Sequence, residues 1–134
     1  MTQEGKFLLL KDLNARLPYG VYVEHTTTKI RGKLKGMMFE HIYNDTDSIQ
    51  DINAWAMFFG DEYVDATYFR PILRPMSSMT EEERKEYKHL VAFSGSPDGA
   101  TNFTDWLNAN HFDYRGLIEK GLAIEVTEKN NPYK

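Results

Sequence analysis

The sequence predicts an α+β domain: a small, twisted, mostly antiparallel sheet or partial β-barrel, packed by an N-terminal helix and two or three C-terminal helices. Three observations carry this expectation. Apolar residues stand at positions 9, 10, 13 and 17, which is helical spacing. Between residues 20 and 70 the apolar pattern becomes alternating or continuous, as strands require. From Thr80 onward helix signals return, opening with a capping box completed by Glu83. A chain of 134 residues has the size of one domain and buries enough surface for one core, so residues 1–134 are read as a single domain.

The elements follow in order. Pro18-Tyr19-Gly20 stops the first helix, and Val21 and Val23 alternate with Tyr22 and Glu24 as a strand. Residues 29–43 read as the longest strand region, broken or bulged at Gly32 or Gly36. There Lys29, Arg31, Lys33 and Lys35 fall on one face, with Ile30 and Leu34 on the other. Residues 44–51 form a polar, acidic loop. The next strand, 53–59, is apolar on both faces: Trp55, Met57 and Phe59 against Ala54, Ala56 and Phe58. Such a strand is central in a sheet or covered on both sides. Residues 63–69 form a further short strand. Arg70-Pro71 and Arg74-Pro75 exclude a central strand and predict an extended segment leaving the sheet. Helices then occupy 80–121. Ser94 to Gly99 is a turn by composition, and residues 103–124 are a helix, a tight break and a second short helix capped by Asp113 and stopped by Gly121. Residues 127–134 are a polar tail expected to fray.

Composition excludes several classes of function. There is no cysteine, hence no disulfide framework, thiol nucleophile or thiolate zinc site. The apolar run Phe7 to Leu10 is too short for a signal peptide or membrane span, which makes a soluble cytoplasmic protein with no membrane partner the expectation. Net charge is -4, and a generally basic surface for nucleic acid is not indicated. Charge is nevertheless uneven, with three more bases than acids in residues 1–43 and six acids with no Lys or Arg in 44–66.

Three stretches carry a resemblance: Lys11-Asp12-Leu13 with Ala15-Arg16-Leu17-Pro18-Tyr19-Gly20-Val21, then Leu73-Arg74-Pro75-Met76-Ser77-Ser78-Met79-Thr80-Glu81-Glu82-Glu83, then His111-Phe112-Asp113-Tyr114-Arg115-Gly116-Leu117-Ile118-Glu119-Lys120-Gly121-Leu122-Ala123. Together they resemble a family of small hypothetical proteins of gut Bacteroides and their phages or prophages. The resemblance implies a phage or mobile-element context and brings no activity or catalytic residues with it.

Motifs for chemistry fail one by one. A calcium loop starting at Asp45 would need Gly and Glu where Gln50 and Ala56 stand. His25, His41, His89 and His111 show no ligand spacing, so no metal is expected, and no phosphate-binding glycine loop or nucleophile elbow points to a cofactor or catalytic residue. An RNA-recognition pattern laid on Lys35 to Ile42 keeps the base, the glycine and the central Phe39, but lacks the outer stacking aromatics. A helix-turn-helix laid on 103–124 offers only Arg115 and Lys120 to a major groove.

Binding is the leading expectation over catalysis. The favoured reading is an accessory protein of a phage or mobile element acting by contact with a protein partner, self-association included. Its surface would be the strand of Trp55, Met57 and Phe59 or the adjoining aromatic region, whichever is exposed. The alternative is nucleic-acid binding through the Lys29, Arg31, Lys33 and Lys35 face, whose mutual repulsion an anion would relieve. A third reading is an enzyme whose site would gather His41 or His111 with carboxylates in a pocket. Arg70 and Arg74 are further candidates, presented to an acidic partner or paired inside the fold with Asp61, Glu62 or Asp65.

Overall fold

The computed structural model describes residues 1–43, 49–58 and 60–134, with Ile49 and Gln50 described through their backbone alone. Residues 44–48 of the expected acidic loop, and Phe59, lie outside the described residues. The α+β architecture is present. Helix α1 (Gln3–Arg16) precedes strands β1 (Tyr22–His25), β2 (Arg31–Lys33), β3 (Gly36–Tyr43), β4 (Ile49–Met57), β5 (Val64–Asp65) and β6 (Phe69–Leu73). Helices α2 (Glu81–Ala92) and α3 (Pro97–Ala109) and strand β7 (Ile124–Glu125) complete the order. Among the described residues the strands form two open sheets, β2-β1-β6-β7 and β3-β4-β5, and no closed barrel.

Helix α1 begins where the Thr2 hydroxyl accepts the Gly5 N–H at 3.0 Å. It tightens into a 3₁₀ turn at Leu17–Tyr19 and ends at Gly20, whose φ of 70° suits glycine. Its inner face carries Leu9, Leu10 and Leu13, which share one core with Val21, Val23, Ala54, Ala56, Phe69 and Leu73. The same face carries Asp12 and Arg16, both fully buried. Arg16 Nε donates to both Asp12 oxygens at 2.9 and 3.0 Å, Arg16 Nη2 to the Phe112 carbonyl at 2.6 Å, and Arg115 Nη1 to Asp12 at 2.8 Å. These bonds tie α1 to the C-terminal segment.

The expected single strand region 29–43 is two strands in different sheets. The chain changes sheet at Leu34 and Lys35: the Leu34 N–H donates to Val21 O, and the Lys35 N–H to Met57 O. Leu34 is buried as expected, whereas Ile30 is exposed because it sits in the turn before β2. Gly32 and Gly36 are places of close approach. A Cβ on Gly32 would stand 3.0 Å from the Phe58 ring, and one on Gly36 2.9 Å from Tyr63 Oη. Strand β4 starts earlier than expected, at Ile49, and is central in its sheet. The expected strand 63–69 shrinks to β5 and a 3₁₀ turn at Ala66–Tyr68.

Pro71 corrects the expectation that prolines exclude a central strand here. Strand β6 lies between β1 and β7. The Thr26 N–H donates to Tyr68 O at 2.8 Å, and Val23 stands opposite Pro71 in the same register. By the alternation of an antiparallel ladder, Val23–Pro71 is then a non-hydrogen-bonded pair. The donor that proline lacks would have pointed away from β1, toward β7, which pairs only from Ile72 onward. The ladder loses no bond.

Helix α2 has the expected capping box, with Glu83 N–H to Thr80 Oγ1 at 3.1 Å and Thr80 N–H to Glu83 Oε1 at 3.0 Å. Helix α3 starts earlier than expected: Ser96 caps it and Pro97 takes its first turn, where proline costs no hydrogen bond. Met79, Leu107 and Phe112 form a second small core beneath these helices, with Tyr87, Phe103 and Trp106 packed on it. The second short helix expected after Asp113 does not form. Gly116 adopts a φ of 73°, which interrupts a right-handed helix. Asp113 still caps the turn, accepting the Leu117 and Ile118 N–H groups at 2.9 Å each.

The tail expected to fray is docked on the first sheet. Tyr133 Oη donates to Ile72 O at 2.6 Å and accepts the Tyr22 N–H at 3.0 Å. Its ring meets Tyr22 edge-on and lies flat on His111, 3.6 Å between centroids.

Candidate functional site

Strand alternation decides which face each candidate residue shows. In β3, Met37 and Phe39 pack toward the core, so Met38, Glu40 and Ile42 point away from it. In β4, Ala54 and Ala56 are buried, which leaves Asn53, Trp55 and Met57 on the outer face. The register sets Met38 opposite Trp55, Glu40 opposite Asn53 and Gly36 opposite Met57. Trp55 and Met57 are half-buried, while Met38 is 50% exposed, Ile42 37% and Tyr43 58%. The expected aromatic strand is thus central along its edges but open on one face.

The free edge matters as much as the face. Strand β3 ends its sheet, and among the described residues no strand pairs with its outer side. Its eight residues contain no proline, lysine or arginine, the residues that commonly guard an edge. Beside it, Asp51 accepts from Lys6 Nζ and Gln3 Nε2 at 2.9 Å each. The hydrogen bond from Lys6, then that from Gln3, holds its carboxyl down to about 2, so it stays ionised.

The basic residues are dispersed. Only Arg31 and Lys33 belong to β2. Lys29 has a φ of 63° in the preceding turn, and Lys35 follows the change of sheet. Arg31 binds Glu24 at 2.8 Å, and the Lys33 ammonium lies 5.8 Å from the Tyr22 ring centroid. Arg70 donates to the carbonyls of Thr67 and Phe69 at 2.8 and 2.9 Å and meets none of its expected acidic partners. Arg74 binds the Glu83 carboxylate through two bonds of 2.7 and 2.8 Å and stacks 4.3 Å from the Phe112 ring centroid. Both arginines fasten the fold.

A groove of about 980 Å³ does gather His111 with Glu83 and Glu128, beside Arg74 and Tyr133. Its groups are poorly suited to acid–base work. Burial, then the charges of Arg16 and Arg74, pulls His111 down to about 4, so the ring is neutral near pH 7. Glu83 is spent on Arg74, which holds its carboxyl below the usual range, and on the helix cap. Among the described residues no three His, Asp or Glu form a metal-binding group. No helix described is long and apolar enough to cross a membrane.

No family model, curated protein or solved structure matches this chain. The site therefore rests on geometry. The sequence reading named Trp55 and Met57 but missed Met38, Ile42 and Tyr43. The period of two in 36–43 was the available signal. It also missed Asp12 and Arg16, four apart on the leucine face of α1, where spacing alone placed them in the core.

Proposed function

We propose that this protein acts by protein–protein contact, through the outer face and free edge of the sheet β3-β4-β5. One observation carries the reading: an eight-residue edge strand stands open beside a face on which Met38, Ile42 and Trp55 are partly exposed. Unpaired backbone groups next to apolar side chains are what strand-adding partners use. The three motif stretches support an accessory role in a phage or mobile element. Nucleic-acid binding is the weaker alternative, because the cations it needs are dispersed and partly engaged within the fold.

The test is a photo-crosslinking residue at position 38, compared with one at Lys88 on exposed α2. A discrete protein adduct at 38, absent at 88, supports the reading. An identical diffuse pattern at both positions overturns it.

A further inference from the structure

We propose that the occupant of this surface is an extended, cationic segment of a different protein, added as a new strand along β3. This rests on the binding reading above and deepens it.

The edge fixes the mode. Along an antiparallel ladder alternate residues turn their N–H and C=O to one neighbour, so about four of the eight β3 residues offer a donor and an acceptor to the open side. An added strand satisfies these groups and sends every second side chain onto the outer face beside Met38, Glu40 and Ile42.

Charge fixes the kind of partner. Residues 36–66 contain seven Asp and Glu and no Lys or Arg. Asp51 is matched by Lys6 at 2.9 Å. Glu40 stands on the outer face of β3 itself and meets no Lys or Arg among the described residues, its carboxylate accepting only from Asn53 Nδ2 at 3.2 Å. Asp65 shares that face two strands away on β5, where it caps the Ala66–Tyr68 turn, and Asp61 and Glu62 lie in the loop before β5. A second copy would set the same acids against themselves, a cost to dimers built edge to edge. Nucleic acid would be repelled for the same reason. A strand alternating cations with apolar residues would meet the edge and the apolar face, with its cations set beside Glu40 and in the negative field of a sheet that holds no Lys or Arg.

The probe is a labelled eight-residue peptide of alternating Lys and Val, read by fluorescence anisotropy with the intact protein. Two controls accompany it: the Glu–Val counterpart, and the Lys–Val peptide N-methylated at every amide. The Lys–Val peptide should bind at least about tenfold tighter than either control and weaken with salt. It should also slow amide exchange across Gly36–Tyr43, and Glu40→Lys should reduce its affinity. Equal binding of the N-methylated peptide overturns strand addition. Equal binding of the Glu–Val peptide overturns charge selection. A dimer in sedimentation that Met38→Glu dissociates overturns the foreign partner in favour of a second copy. If position 38 crosslinks a protein but the Lys–Val peptide fails, the mode falls and the binding reading stands. If crosslinking fails, the binding reading itself falls.

Discussion

In the sheet β2-β1-β6-β7 both faces are occupied; in β3-β4-β5 only one is. The first sheet lays Val23, Phe69 and Leu73 on the α1 leucines, while Tyr22 and Ile72 on its other face lie beside the docked tail. Its cations are used internally, Arg31 by Glu24 and Lys33 by the Tyr22 ring. The second sheet gives Ala54, Ala56 and Phe39 to the core and leaves Met38 and Ile42 to water. The difference teaches that a domain of this size has enough chain to finish one sheet and leave the other unfinished. The completed half is tied together by the tail, and the unfinished half leaves an apolar face and a strand edge open among the described residues.

That contrast is easiest to break in the completed half. Asp12→Ala strands the Arg16 guanidinium in the core, and removing one member of a buried pair costs about 3–5 kcal/mol. The urea midpoint should fall sharply; an unchanged midpoint would show that Arg16 finds other compensation. Tyr133→Phe leaves the Tyr22 N–H and the Ile72 carbonyl without the hydroxyl between them. A loss of about 1–3 kcal/mol is expected, and one near zero would mean that the tail covers the sheet without holding it.

A smaller effect should follow pH. His111 titrates at about 4 in the fold against 6.5 as a free side chain. The unfolded chain therefore takes up the proton first. The contribution is fully present above pH 6.5 and is lost as pH falls from 6.5 toward 4. His111→Asn, which tolerates the left-handed backbone there, should flatten the acid limb of a stability–pH curve. The smallest effect belongs to the open half. Met38→Lys should change the unfolding free energy by no more than about 0.5 kcal/mol, yet weaken binding of the cationic probe. A large destabilisation would mean that Met38 is a core residue after all.

Much of the framework was legible in residue order. Thr80 and Glu83 announced the start of α2, Pro18 and Gly20 the end of α1, and alternation at Val21 and Val23 the first strand. What stayed hidden depends on partners distant in sequence. Residue type cannot show that Pro71 sits at a non-hydrogen-bonded pair, because that parity is set by the register with β1. Leu34 and Lys35 look like any strand residues until their N–H groups are seen to bond to different sheets. Tyr133 looked like part of a loose tail because its two hydrogen-bond partners lie 61 and 111 residues away. The candidate site was half visible: the apolar character of Trp55 and Met57 was plain, but exposure is decided by which strand ends the sheet.

The long reach of Tyr133 has a consequence in time. Strands β3 and β4 pair residues between 36 and 57, a short loop to close. The other sheet waits for β7 at residue 124 and for the hydroxyl at residue 133. Local pairings close faster than distant ones, so during synthesis the open hairpin is expected to form well before its neighbour is complete. Pulse-labelled exchange during refolding should then show β4 amides protected ahead of those in β6, and simultaneous protection would contradict that order. A nascent chain would present its acidic, strand-hungry edge to the cell while the rest of the molecule is still being assembled.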